Sequence, residues 1–206
     1  MAEVIQGVFP TKKKVNHSSD DKPVPSYILQ ISITFSEPLI WRRIQIPGTC
    51  TLADLHDVIQ KSMGWSDSHL HQFIVGKISY EPTIKTNAPR VSKRFDEDKY
   101  QLHTLEEGMR FLFSYIYDAG EGWEHEIHLE EVVPASTPLH TPLVLAGERA
   151  CPPEDVGDIH EYHQLITAFE DPAHKDYHRL YEITGRPDFD PGVFILEEAK
   201  IRVDSI

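Results

Sequence analysis

Cysteine is scarce in this chain: its 206 residues hold two, Cys50 and Cys151, and no CxxC pair. That excludes a disulfide framework and a cysteine-rich zinc site, and it fits a reducing compartment. Long hydrophobic runs are missing as well. No stretch approaches the ~20 apolar residues of a membrane span, and the opening residues lack the apolar core of a secretory signal. The expectation is a cytoplasmic protein without membrane contact. Positive charge is also short, with 20 Lys plus Arg against 33 Asp plus Glu and a formal net charge of -13. Such a surface repels a phosphate backbone unless its basic residues are segregated, which disfavours non-specific nucleic-acid binding. Neither a nucleotide-binding glycine loop nor a nucleophile elbow is encoded.

What remains is globular: 40% hydrophobic and 26% charged residues suit one domain with a substantial core. Residues 1–24 mix lysines, serines, aspartates and prolines, the composition of a flexible tail, so the folded domain is expected over 25–203. In "YILQISITF", Tyr27, Leu29, Ile31, Ile33 and Phe35 alternate as in a half-buried strand. After a turn at Pro38, "LIWRRIQIP" places Ile40, Arg42, Ile44 and Ile46 on one side and Trp41, Arg43 and Gln45 on the other, completing a hairpin. Thr51 and Asp54 form a capping-box pair ahead of Leu52, Leu55, Ile59 and Met63 at helical spacing, with Gly64 as the stop. "HLHQFIV" alternates again. The order strand, strand, helix, strand predicts an α+β, β-grasp-like mixed sheet.

Residues 81–101 carry prolines and most of the clustered basic residues without periodicity, and read as a long exposed loop. "RFLFSYIYD" and "WEHEIHLEEVV" read as a second hairpin in the same sheet. Beyond Pro134 the chain is loop and then helix, the first capped by Asp158 with Tyr162, Leu165, Ile166 and Phe169 as its apolar stripe, the second bringing Tyr177, Leu180 and Tyr181 inward. The last segment, "FDPGVFILEEAKIRV", suits a helix or a strand.

The ordered run "IWRRIQIP", "TLADLHDVIQKSMGW", "HLHQF", "YDAGEGWEHEIHLE" and "CPPEDVG" resembles the plasmid pRi open-reading-frame-three family, over roughly residues 27–203. Some members of that family carry the label of transposon passenger proteins. The resemblance implies an α+β domain and an association with mobile elements, and it brings no established reaction. Asp118, Gly120, Trp123 and His125 match the family pattern as they stand. Ala119 and Glu121 replace its usual aromatic and aspartate, and Asp158 replaces its second glycine after "CPPED".

The residues that bear chemistry are few. "YDAGEGWEHEIHLEE" holds six carboxylates, two histidines and a tryptophan. Alternation assigns Trp123, His125, Ile127 and Leu129 to one strand face, and Glu124, Glu126, His128 and Glu130 to a solvated one. His125 is the unusual member, an imidazole on an apolar face beside Trp123. His69 and His71, as H-x-H on a strand, would project to one face within reach of a single metal ion. A packed, hydrogen-bonded histidine pair is the more frequent use of that pattern. Asp118 and His125 can join them or pair with each other. Glu154 and Asp155 lie in the stiff "CPPED" turn, where capping the next helix is favoured over presenting a carboxylate to a ligand. Arg42, beside Trp41, suits an anion or peptide site or simply covers apolar surface. His56 reads as a polar flank of its helix, and Cys151 has no base identifiable by spacing.

The leading expectation is a non-enzymatic protein-binding or adaptor domain, with a functional cluster drawn from Trp41, Arg42, His69, His71, Asp118, Trp123, His125, Glu154 and Asp155. The alternative is a metal-dependent hydrolase or nuclease on His69, His71, Asp118 and His125. No cofactor is expected, with a divalent metal the one left open, and the expected partner is a protein.

Overall fold

A computed structural model describes residues 23–83, 94–118, 122–154 and 156–206. The architecture is α+β. Eight strands form one sheet: β1 (Ser26–Ile33), β2 (Trp41–Pro47), β3 (His71–Val75), β4 (Ile78–Glu81), β5 (Phe95–Asp96), β6 (Phe113–Tyr117), β7 (Trp123–Val133) and β8 (Leu143–Glu148). Their spatial order is β5-β4-β3-β6-β7-β1-β2-β8. Among the described residues only β4 and β5 pair in parallel. The helices are α1 (Leu52–Met63), α2 (Glu106–Met109), α3 (Ile159–Glu170), α4 (Arg179–Thr184) and α5 (Leu196–Val203).

The two hairpins join through antiparallel pairing of β1 with β7, which sets Ile31 opposite Ile127 and Ile33 opposite His125. Tyr27, Leu29, Ile31, Ile33, Ile44 and Ile46 all bury on one face, as alternation requires. β3 does not pair with the opening hairpin; the β6–β7 hairpin stands between them. Helix α1 lies across the buried face. Its N-terminus is closed by the capping box, with Thr51 Oγ1 accepting from Asp54 N and Asp54 Oδ2 accepting from Thr51 N, and left-handed Gly64 (φ 96°) ends it.

Three expectations are corrected, and one open alternative is resolved. Phe35 leaves the core at 78% exposure, because the Ser36 hydroxyl donates to Ile33 O and accepts from Ile40 N, closing the turn two residues early. The segment read as strand from Arg110 is helical at its start: Arg110 N donates to Glu106 O, Leu112 N donates to Gly108 O, and β6 begins only at Phe113. The stretch read as loop over 81–101 contains β5, one single-turn 3-10 helix and a buried carboxylate, Glu97, anchored by mutual packing of Tyr80, Phe95 and Tyr100. Its most basic part, 84–93, lies outside the described residues. The final ambiguous segment resolves as α5, whose Ala199 and Val203 are buried where it packs against α1 and β8.

Leu55 is fully buried beneath the sheet. Leu55→Ala is expected to cost roughly 2–5 kcal/mol through the cavity it leaves. The check is the urea unfolding midpoint, which an incorrectly assigned helix face would leave in place.

Candidate functional site

The connection from α1 to β3, residues 64–70, organises the polar chemistry of the molecule. Trp65 is buried and donates from Nε1 to Pro152 O at 2.9 Å, while its ring stacks on Tyr117 and meets His125 edge-on. Glu154 grips the next residues. It accepts from Ser66 N (2.9 Å), Ser68 N (3.2 Å), the Ser66 hydroxyl and the Tyr117 hydroxyl, the last two in short hydrogen bonds. Partial burial pushes the Glu154 carboxyl up, but those hydrogen bonds outweigh it and hold the group below its ordinary range. The expected helix-capping role of Glu154 is thereby corrected, since the N-cap of α3 is Asp158, which accepts from Glu161 N. Asp155 lies outside the described residues.

His69 and His71 do not share a strand face. β3 starts at His71, and His69 sits in the preceding turn with its backbone N donating to the Tyr117 hydroxyl and its Nδ1 3.6 Å from Asp118 Oδ2. The Glu154 clamp on Ser66 and Ser68 holds this stretch off the ladder. His71 turns inward instead, where its ring lies on that of His56 with centroids 3.5 Å apart and planes within 7°. His71 Nε2 donates to both oxygens of Glu97, at 2.9 and 3.0 Å. His56 is 4% exposed, not a polar flank: it follows Leu52 by four and precedes Ile59 by three, squarely on the buried stripe of α1.

The hydrogen-bond directions around His56 are fixed by its neighbours. Gln60 Nε2 donates to the Tyr115 hydroxyl (2.9 Å), and burial keeps that phenol protonated, so its proton goes to His56 Nδ1 at 2.8 Å. His56 Nε2–H then donates to Asp67 Oδ1 at 3.0 Å. Burial, reinforced by His71, pushes the His56 pKa down to about 4. Glu97, Gln60, Asp67, Tyr115 and Tyr117 were not singled out from the sequence. The helical spacing of His56 and Gln60 was a usable signal, and the position of Glu97 carried none.

On the other side of Trp65 the "CPPE" turn, the β2–β8 edge and residues 183–202 enclose a cleft of about 620 Å³. Arg42, Cys151, Phe189, Phe194 and Arg202 line it. Arg42 is 1% exposed and donates to Ser62 O, Trp41 O and Glu148 O, with its guanidinium 4.0 Å from the centre of the Phe194 ring. Phe194 reaches it because position 147 is glycine: a Cβ there would stand 2.7 Å from Phe194 and 2.9 Å from Arg42. Trp41 lies on the opposite face, half-buried, donating to Glu148. Burial pushes the Cys151 thiol up to about 12.

His125 and Trp123 are both buried on the apolar face of β7, as alternation predicts. His125 Nδ1 donates to Tyr115 O (3.2 Å), Nε2 is buried with no partner, and burial pushes the pKa down to about 4. A histidine held neutral in the fold but free to charge when unfolded makes the unfolded state bind more protons between about pH 6.5 and 4, so stability falls with acidification across that window. His125→Phe is expected to remove roughly 2–3 kcal/mol of that loss between pH 7 and 4.5. Urea unfolding of both proteins at the two pH values measures it, and parallel losses would show that His125 charges freely in the fold.

The model of the plasmid pRiA4b ORF-3-like protein family matches residues 25–198. Uncharacterized protein y4hQ of Sinorhizobium fredii is 31% identical over 180 residues, 86% of this chain and 90% of that protein. The crystal structure of MM3350 from Methanosarcina mazei Go1, a protein of unknown function, superposes with a TM-score of 0.74 at 30% identity, over 85% of this chain and 97% of the other. On the family model's match over 25–198 and the 31% identity to that relative, the chain belongs to the plasmid pRiA4b ORF-3-like family.

Proposed function

We propose that the chain is a non-enzymatic binding domain that seats an extended segment of a partner protein in the cleft between the "CPPE" turn and residues 183–202. The cleft carries this reading. Its volume lies in the range of natural ligand sites, its floor is aromatic and aliphatic, and its lining has both signs of charge, Arg42, Arg186 and Arg202 with Glu154, Asp188, Asp190 and Glu198. Mixed charge around an apolar floor suits a peptide, whose side chains alternate in character, better than a polyanion. The overall charge of -13 favours the same choice.

The titratable groups agree with binding rather than turnover. A general base works best with a pKa near the operating pH, whereas His56 and His125 are driven to about 4 and the Cys151 thiol to about 12. The four residues of the hydrolase alternative are dispersed: His69 meets Asp118, His71 meets His56 and Glu97, and His125 lies beneath Trp65. Among the described residues no helix is long and apolar enough to cross a membrane. The proposed setting is cytoplasmic, in keeping with two unpaired thiols, and the mobile-element association follows the family label.

Selection of a phage-displayed peptide library on the purified chain is expected to enrich one consensus. Val193 is 48% exposed and lines the cleft, so Val193→Glu leaves the core intact. It is expected to weaken the selected peptide about tenfold or more, equivalent to ~1.4 kcal/mol, while Ile78→Glu on a distant strand changes nothing. Equal binding by both variants, or reproducible turnover of ester, phosphoester or peptide substrates that disappears in His71→Ala, would overturn the reading.

A further inference from the structure

The stacked histidine pair is expensive for a hydrophobic core. Two imidazoles and the Glu97 carboxylate, 3% exposed, lie among aromatic and aliphatic side chains, and Asp67 closes the cluster from the solvent side. Among the described residues the side-chain donor to Glu97 is His71 Nε2. Two carboxylates beside two imidazoles leave this pocket negative, and burial makes uncompensated charge costly.

From this arrangement we infer that His56, Asp67 and His71 form a binding site for one divalent transition-metal ion, with Glu97 as the carboxylate that orients His71. One donor atom from each of the three residues lies within 4.8 Å of the other two. Donors around a tetrahedral ion lie roughly 3.3 Å apart, from bond lengths near 2.0–2.1 Å. His56 Nε2 and Asp67 Oδ1, at 3.0 Å, already meet that spacing. The metal takes the Nε2 position that now donates to Asp67, so His56 changes tautomer, its proton moving to Nδ1 and donating to the Tyr115 hydroxyl.

The hydrogen bond from Nε2 to Glu97 leaves Nδ1 as the coordinating nitrogen of His71. A carboxylate behind a ligand histidine is the support that metal-bound imidazoles normally carry, fixing ring and tautomer. Parallel rings cannot both aim a lone pair at one point, so uptake turns one imidazole out of the stack. Asp67 follows easily, since it lies in the 64–70 connection with φ 58° and a side chain 55% exposed. Two nitrogens and one carboxylate oxygen select zinc and its first-row neighbours over magnesium or calcium, and water completes the set. A divalent charge balances Asp67 and Glu97. By drawing Asp67 inward the ion also fastens the connection that carries Trp65 to the cleft and Ser66 to Glu154, although the site does not depend on the peptide reading.

Equilibrium dialysis of tag-free, full-length protein against Zn2+ and Co2+ tests the site. One ion per chain is expected, with the visible absorption of a low-coordinate Co2+ centre. Asp67→Asn keeps the fold, because the residue is exposed and asparagine tolerates its left-handed backbone, and it is expected to weaken the ion tenfold or more. Glu97→Gln, which acts through His71, is expected to weaken it about 10–100-fold. His56→Gln abolishes uptake while circular dichroism confirms folding, and His69→Ala, four residues or fewer from two ligands, has no effect. The inference is overturned if the wild type takes up neither ion, if Asp67→Asn and Glu97→Gln both retain full affinity, or if His69→Ala weakens binding as much as Asp67→Asn does.

Discussion

A guanidinium sits in the core of this protein with no ion pair among the described residues, and four elements are arranged around that fact. Arg42 projects from the buried face of β2 and is satisfied by carbonyls from α1, β2 and β8. The Ser62 carbonyl belongs to the last turn of α1, where the helix dipole is negative, so a cation there is favoured twice, by hydrogen bond and by field. Burial pushes the Arg42 pKa down to about 10, which still leaves it charged at neutral pH. Phe194 covers the remaining face and thereby fixes the chain just before α5, and Gly147 is the concession that lets β8 come close enough. Pairing Arg42 with a carboxylate would have been stronger locally, but the carbonyls distribute its attachment over the helix and both neighbouring strands.

The acidic run of β7 shows how a conspicuous sequence can be chemically quiet. Glu124, Glu126 and His128 point outward, and Glu130 makes a bidentate pair with Arg43 on the exposed face of β2. An exposed pair of that kind contributes little to stability. The consequential carboxylates are ones that composition does not highlight, Glu97 under the histidine stack and Glu154 against the 66–68 turn. Each is engaged by several donors of one short segment or by a buried imidazole, and each therefore determines where backbone goes.

Legibility followed the range of the interaction. The capping box of α1, the alternation of β1 and β7, and the apolar-face placement of His125 rest on residues a few positions apart, and all could be read directly. Glu97 meets His71 across 26 positions, and Glu154 meets Tyr117 across 37. Neither leaves a periodic trace, because a single long-range hydrogen bond constrains one side chain and not its neighbours. Phe35 failed for the opposite reason: the apolar alternation continues two residues past Ile33, where the Ser36 hydroxyl closes the turn. His56, expected as a polar flank, stands at a core position of an amphipathic helix, where a histidine signals a buried partner, here Tyr115.

The histidine stack and the cleft are neighbours through Trp65. The indole donates to Pro152 O and so fixes the "CPPE" turn, its ring packs on Tyr117 and His125, and the residues following it carry the Glu154 clamp and then Asp67. A shift of Asp67 toward the imidazoles thus pulls on a segment whose other end is a wall of the cleft. Ser66 is held from Glu154 and Asp67 from His56 and Gln60, so adjacent residues answer to opposite sides of the indole. Packed interiors transmit such displacements because they have little free volume to absorb them. The physical content of the coupling is therefore the stiffness of one four-residue stretch, Trp65 to Ser68, in which every backbone or side-chain donor that faces the protein is already committed to a partner on one side or the other.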